Sequence, residues 1–550
     1  MKLHVVAALL PCLSLSFPCS AVAETPEKEI VVTATRTAQT ADEALAAVTV
    51  ITREQIDAAQ AKDVPELLRF HAGLDVARSG GPGQITSVFL RGTDSNHVLV
   101  LVDGVRINPG TIGAPAWQNL SPDVIERIEI VRGPRSSLYG SDAIGGVVQI
   151  FTRRAEDGTT LSARAGDGSF VTRDGAVGVH HRGQTVRVGV DVARLTSAGF
   201  PARVGGQDDS GHTNTSVNAH SGAKLGQLDV EVGHWQARAK TEYYDFLLNP
   251  VSQDLFNSVT GLTLKAPLTN WWATSLKASE MYDEIDQNQS SDYSHTRRQT
   301  LDWQNDFQIG RDDLFTFGAY RAREHTAALV FGGGFREQTD NWATFVQNQW
   351  KPGNHNLLAA LRYNDHDSFG PHSTGEIAYG YRFGPVAQLF VSTATGFRAP
   401  DSTDRFGFGG NPNLLPEESK HAELGARLHV APAHRLNVQV FWNEIENLIN
   451  FVDPDGFGGP LPGMNQNIDR ARIYGIELGY RYNQGPWRLN AEGISQNPEN
   501  LDTHRQLARR AAHSLTLGGG YSSKSYSLAA NVLWQDSRWD SDFSSTRLPA

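Results

Sequence analysis

The side chains best suited to holding a metal ion are Asp208 and Asp209 in "GGQDDSGHTN" and Asp245 in "YYDF". Carboxylates in polar, loop-like surroundings are the hard oxygen ligands that calcium takes. The histidines, His180-His181 among them, fall in strand or loop patterns without ligand spacing, and a satisfied or solvated imidazole accounts for them. Bond-making chemistry has no recognisable foothold: there is no nucleophile elbow, no H-E-x-x-H, no P-loop, and no G-x-G-x-x-G between a strand and a helix. Both cysteines, Cys12 and Cys19, lie in the leader, so the mature chain carries neither a thiolate nor a disulfide. What stands out instead is a pair of charged steps, Arg91-Gly92 and Arg132-Gly133, set beside glycine-rich loops.

The elements that must position them lie between Val88 and Thr152. "HVLVLVDG" and "ERIEIVRG" are short β-branched runs and read as strands, with Asp103-Gly104 as a hairpin turn signal. "YGSDAIGGVVQI" closes the stretch, and Gly145-Gly146 permits a close backbone approach just before a last strand. This is a small mixed α+β domain with glycine-rich loops.

Residues 1–23 are a secretory leader: Lys2 opens it, "VVAALLPCLSLSF" is its apolar stretch, and Ala21-Val22-Ala23 is the cleavage site. The formal charge of −11 becomes −12 once the leader and its lysine are removed, which gives no basic patch for nucleic acid. No long apolar run follows the leader, so membrane-spanning helices are excluded. A mean hydropathy of −0.36 with 53 glycines, 14 tyrosines and 11 tryptophans suits strands that are apolar on one face only. Soluble β-rich secreted proteins share that composition.

Residues 24–40 are polar except for Ile30-Val31-Val32 and predict an extended segment with one short strand former, "EIVVTA", from Glu29 to Ala34. Residues 41–153 form the mixed domain. Within it Val48 to Gly73 reads strand, helix, helix: Thr52 with Gln55 and Asp63 with Glu66 each make a capping box, and Pro65 sits early in the second helix. Two irregular loops follow, one around Gly80-Gly81-Pro82-Gly83 and one from Ile107 to Leu120 with Trp117 as its large aromatic.

From residue 158 to 550 the pattern turns to long alternation. Val186, Val188, Val190 and Val192 share one face against Arg187, Gly189 and Asp191; Leu228, Val230 and Val232 face away from Asp229 and Glu231; Leu436, Val438 and Val440, then Tyr526, Leu528, Ala530 and Val532, repeat the scheme. Apolar-out, polar-in strands of roughly 10 residues are what a closed membrane barrel requires, because closure pairs every backbone group.

The order "LRGTDSNHVLVLVDGVR", "IERIEIVRGPRSSLYGSDAIGG", then several hundred residues of alternating strands resembles the plug and barrel of TonB-dependent outer-membrane receptors, from about Glu29 onward. With "GNPNLLPEESKHAELG", the wording is most similar to the cobalamin-transporting members. The resemblance implies an all-β transmembrane barrel of about 22 strands with the α+β plug inside its lumen, and further C-terminal strands beyond "SSTRLPA". It implies that the chain is a monomer in the outer membrane, that its N-terminal segment lies in the periplasm, and that Glu29, Ile30, Val31, Val32, Thr33 and Ala34 form a TonB box. Such a segment can add a strand to the edge of a TonB sheet. It places Ser79, Ile85, Thr86 and Ser87 of one loop, and Thr111, Ile112 and Gly113 of the other, against the substrate at the plug apex. It sets Arg91 and Arg132 of the plug against Glu423 and Glu477 of the barrel, and assigns calcium in the outer loops to Asp208, Asp209 and Asp245. The implied activity is active transport of cobalamin or a related corrinoid, with no catalytic residues and no required cofactor. A ferric-siderophore receptor, and a passive porin or adhesin barrel, are the alternatives; a porin has neither plug nor TonB box.

Overall fold

The structure, a computed structural model, describes residues 31–32, 36–37, 39–453, 463–523, 525–541 and 546–550. The leader therefore lies outside the described residues. No helix among those described is long and apolar enough to cross a membrane.

The N-terminal domain is built on the β-branched runs. Strands β1 (Val31–Val32) and β2 (Gln39–Thr40) form a short antiparallel pair. After them come β3 (Val48–Thr52), α1 (Arg53–Ala59), α2 (Val64–Leu68), β4 (Leu74–Arg78), β5 (Thr86–Leu90), β6 (Val98–Val102), β7 (Val105–Arg106), β8 (Ile125–Arg132), α3 (Ser136–Tyr139) and β9 (Gly146–Thr152). The central sheet runs β3-β8-β9-β6-β7, with β6 and β9 parallel and the other pairs antiparallel; β4 and β5 make a separate hairpin. Strand β6 is buried at all five positions, as an unbroken "VLVLV" demands, and packs with Ile128, Ile130, Val148 and Trp117 in the core.

Local chemistry sets the turns. Asp103 and Gly104 both adopt positive φ, 49° and 79°, giving the two-residue turn that matches strand twist between β6 and β7. Gly146 has φ 151°, and a Cβ there would sit 2.3 Å from the Val131 carbonyl oxygen, so only glycine lets β9 lie against β8. Thr52 and Gln55 form the expected reciprocal cap on α1. At α2 the Asp63 side chain accepts from Glu66 N at 3.1 Å, but the Glu66 carboxylate accepts from Lys62 N, so that box is half formed.

Residues from Gly158 onward fold into a 20-stranded antiparallel sheet, from Gly158–Gly168 to Ser527–Gln535, in which, up to Trp487–Asn500, each strand pairs with its sequence neighbours. Arg505–Gln506 and His513–Ser522 both pair with Trp487–Asn500, so twenty strands occupy nineteen wall positions where about 22 are expected. Among the described residues no pairing joins the first strand to the last. Along Val186–Ser197 the four valines point outward and are exposed, while Asp191 points inward and is buried against the plug. The sheet wraps around the N-terminal domain, and its inner face is polar where it meets that domain.

Candidate functional site

Arg91 sits at the end of β5 with φ 49°, a left-handed conformation that costs a non-glycine residue about 1 kcal/mol or more and recurs at functional sites. The turn aims its guanidinium at the wall. Nε and Nη2 donate to Glu477 at 3.0 and 2.7 Å, and Nη1 donates to Glu423 Oε2 at 2.9 Å. All three side chains are 5 % exposed or less. Burial alone would lower the Arg91 pKa, and the two carboxylates more than offset that, so the group is held above its ordinary value. Phe441 lies beneath the guanidinium, 4.4 Å from it.

Arg132 plays a different part. It lies 3.5 Å from Glu477 Oε1, but its hydrogen bonds go to Thr49 Oγ1 at 2.8 Å and the Ala72 carbonyl at 2.7 Å, both within the plug. One arginine therefore bridges both wall glutamates, and the other braces the plug behind it. The four residues expected to face one another meet, and the left-handed turn at Arg91 brings its fork between the two strands that carry Glu423 and Glu477, so that Arg91 reaches Glu477 as well as Glu423.

Further plug–wall contacts surround this centre and had no sequence signal of their own. Arg510 of the wall donates to Gly92 O at 3.2 Å and ion-pairs with Asp94 at 2.5 Å, gripping the loop that carries Arg91. His97 Nε2 lies 3.0 Å from Glu417, which also pairs with Arg398 at 2.7 Å. Arg135 meets Glu376, and His71 with Ala72 N meets Glu492. These buried polar pairs across the gap hold position by direction rather than by apolar area.

The apical loops divide by burial. Ser79, Ile85 and Ile112 are exposed, the two isoleucines at 65 and 42 %, and Ser87 is half-buried. Thr86, Thr111 and Gly113 are buried. Thr86 Oγ1 donates to Gln84 O at 2.9 Å; Gly113 N donates to Pro109 O at 2.9 Å while its carbonyl accepts from Asn108 Nδ2. Thr111 is tied to the wall: its N–H donates to Thr296 Oγ1 at 3.2 Å and its carbonyl accepts from Thr403 N at 2.9 Å. Thr403 belongs to α4 (Ser402–Phe406), whose Ser402 N also donates to Gly110 O, so this short helix rests directly on the second apical loop.

At the other end of the lumen, β1 pairs with β2, and Arg36 ion-pairs with Asp302 of the wall while donating to Leu138 O of α3 at 3.1 Å. Gln349 of the wall donates to Thr37 Oγ1 at 2.8 Å. Glu29, Ile30, Thr33 and Ala34 lie outside the described residues.

Asp208, Asp209 and Asp245 occupy outer loops. The Asp245 carboxylate is taken up locally, accepting from Leu247 N at 2.9 Å and from Asn249 N at 2.8 Å, and the Asn249 side chain holds its pKa below the usual carboxylate range. Asp208 exchanges backbone hydrogen bonds with the Tyr244 hydroxyl. Among the described residues no group of three or more His, Cys, Asp or Glu side chains is arranged to hold a metal ion.

Comparison with known proteins follows the same division of the chain. Residues 40–147 match the TonB-dependent receptor plug domain, and residues 155–550 match the β-barrel of TonB-dependent receptor-like proteins. The vitamin B12 transporter BtuB of Photobacterium profundum is 29 % identical over 582 aligned residues, covering 100 % of this chain and 92 % of that protein. Among solved structures, the siderophore receptor PirA of Acinetobacter baumannii superposes with a TM-score of 0.73 at 17 % identity, over 88 % of this chain and 85 % of its own. A ferric enterobactin receptor mutant of Pseudomonas aeruginosa, PfeA in complex with enterobactin, superposes at 0.76 and 16 % identity, over 89 and 87 %. At such identities the superpositions establish the fold alone. The plug and the wall that encloses it carry the same signature, and the chain belongs to the TonB-dependent receptors, the outer-membrane transporters driven through TonB.

Proposed function

We propose that this receptor imports cobalamin or a related corrinoid across the outer membrane. The observation that carries the reading is the alignment with a vitamin B12 transporter over the whole chain, plug and wall together. The chemistry of the apex agrees. Residues 79–87 and 107–120 contain no charged side chain. Exposed Ile85 and Ile112 with the Ser79 hydroxyl offer apolar contact and hydrogen bonds to a large ligand edged with amides, whereas an anionic ferric chelate calls for cations.

In this reading Ser79, Ile85, Ser87 and Ile112 touch the ligand, and Thr86, Thr111 and Gly113 hold the loops in shape. The segment from Glu29 to Ala34 faces the periplasm and adds a strand to TonB, through which the energy of transport arrives. The test is equilibrium binding of cyanocobalamin and of a ferric catecholate to the full chain in detergent. Saturable cyanocobalamin binding at sub-micromolar concentration is expected; binding of the ferric chelate without cyanocobalamin would overturn the assignment.

A further inference from the structure

Most outward-facing cations in the upper half of the wall are neutralised by a neighbour on the same face. Arg297 pairs with Glu280 at 2.6 Å, Arg323 with Asp340 at 3.1 Å, Lys420 with Glu446 at 2.8 Å and Arg472 with Glu444 at 3.2 Å. Arg194, Arg238 and Lys240 differ. All three are exposed, and among the described residues none of them takes part in an ion pair.

The ladder brings them together. Arg194 lies opposite Thr215, and Thr215 opposite Arg238, in one outward row across three strands. In the next row up, Thr196 faces Thr213 and Thr213 faces Lys240. Arg194 Nη1 donates to Thr215 Oγ1 at 3.1 Å, and Arg238 lies over the Phe256 ring at 5.0 Å, so both guanidiniums are held along the wall. With strands about 4.8 Å apart and about 3.4 Å per residue, the three charges fall within a patch roughly 10 Å across. Asp254, on the strand away from Arg194, stands opposite Lys240 without pairing, and Glu242, one outward row above Lys240 on the same strand, accepts from Gly211 N.

Height decides what meets this patch. Directly below it are the outward residues Val192 and Val217, with Val190 and Val188 beneath. Arg238 is ten residues above Leu228, where its strand begins. For a strand tilted about 45° that is about 24 Å of barrel height, close to the ~25 Å apolar band of such proteins. The three cations therefore stand where hydrocarbon gives way to headgroups on the outer side. We propose that Arg194, Arg238 and Lys240, with the hydroxyls of Thr213 and Thr215, form a docking site for the phosphate-bearing headgroup of an outer-leaflet lipid. Arginine forks bind phosphate oxygens bidentately, lysine adds a point charge, and the threonine O–H groups complete the acceptor's shell.

The test uses the full-length protein in detergent and native mass spectrometry. It is titrated with a lipid carrying a bis-phosphorylated disaccharide headgroup, with phosphatidylcholine of matched chain length, and with inorganic phosphate. The phosphorylated lipid is expected to be retained in preference to phosphatidylcholine, and Arg238→Gln with Lys240→Gln should weaken retention about tenfold or more. The paired cations serve as the control, so Arg321→Gln with Arg323→Gln should change retention less than about twofold. Should the double variant not fold, Arg194→Gln probes the same patch from the adjacent strand. Equal retention by wild type and patch variants, an equal loss in the control, or binding of inorganic phosphate as strong as that of the lipid would each overturn the site.

Discussion

Arg91 holds Glu477 through two parallel N–H···O bonds, Nε to Oε1 at 3.0 Å and Nη2 to Oε2 at 2.7 Å, in a contact where both side chains are buried. The same guanidinium has one nitrogen left, and it goes to Glu423. Three charges from three distant points of the chain are thereby joined at one place, and the plug's orientation is fixed there without a covalent bond.

Removing Arg91 leaves two buried carboxylates facing each other, the expensive state. Arg91→Ala should cost about 3–5 kcal/mol of resistance to urea-induced plug release, and Arg91→Ala with Glu477→Ala should cost less than the sum of the two. The Arg132 and Glu477 cycle should give a smaller coupling, under about 1 kcal/mol, since both Arg132 Nη atoms are bonded inside the plug and its Nε only approaches Glu477, at 3.5 Å. Equal coupling in the two cycles would remove Arg91 from its central place.

Strand β9 depends on a missing side chain. Gly146→Ala places a Cβ 2.3 Å from the Val131 carbonyl oxygen and 2.6 Å from Leu90, at a backbone angle that L residues resist. The variant should lose about 2–4 kcal/mol of plug stability, followed by fluorescence of the buried Trp117 during denaturation. Wild-type stability would show that β8 and β9 can separate freely.

Burial pushes the Asp75 carboxyl of the plug up to about 7, against the pull of Arg538 and Arg510. Its unfolded value is about 3.9, so between roughly pH 4 and 7 the folded state binds more protons than the unfolded one. Its contribution to stability therefore falls as pH rises through that window and levels off above it. Asp75→Asn should flatten this part of the profile and stabilise the protein at pH 7 by a few kcal/mol, on the order expected for such a shift. A wild-type profile that matches the variant's across the window would show that Asp75 ionises normally.

Exposure separates the proposed ligand contacts, Ile85 and Ile112, from the buried Thr111 at the apex. Ile85→Ala and Ile112→Ala should each weaken cyanocobalamin binding by roughly tenfold, as the loss of about 1.5 kcal/mol of apolar contact implies, with little effect on unfolding. Thr111→Val should instead lower stability, because it strips the hydroxyl contact to Thr296. Unchanged affinity in both isoleucine variants would move the binding surface elsewhere.

The proposed strand addition to TonB would rest on main-chain hydrogen bonds. Val32→Pro removes an N–H and resists pairing, so energised uptake should vanish while equilibrium ligand binding stays at the wild-type level. Val31→Ile should leave both nearly unchanged. Normal uptake by the proline variant would rule out the strand-addition account.

Much of the scaffold was legible because its signals are local. The cap at Thr52 and Gln55, the turn at Asp103-Gly104 and the outward valines from Val186 to Val192 each depend on residues a few positions apart. The site was legible in part. Arg91, Arg132, Glu423 and Glu477 do converge, but Glu423 and Glu477 lie 332 and 386 residues beyond Arg91, and barrel register decides which partner each arginine meets. His97, Arg398, Glu417 and Arg510 carried no signal, since each is a single charged residue whose meaning arises only when wall and plug are superposed. Alternation distinguishes inward from outward; it does not distinguish a buried contact such as Thr111 from an exposed one such as Ile112.

The order of strands in the central sheet also determines how the plug responds to traction. Strand β3 stands at the border of that sheet and has a single hydrogen-bonded neighbour, β8, over five residues, whereas β8, β9 and β6 each have two. Under the proposed TonB contact at Glu29–Ala34, tension entering there would pass along the chain to β3 before it reached any inner strand. The border can peel away with α1 and α2 behind it while the remaining four strands stay joined and Arg91 keeps its hold on the wall. A passage would then open by withdrawal of a ribbon from one side, leaving the remainder of the plug as a template onto which the ribbon re-zips when the load is released.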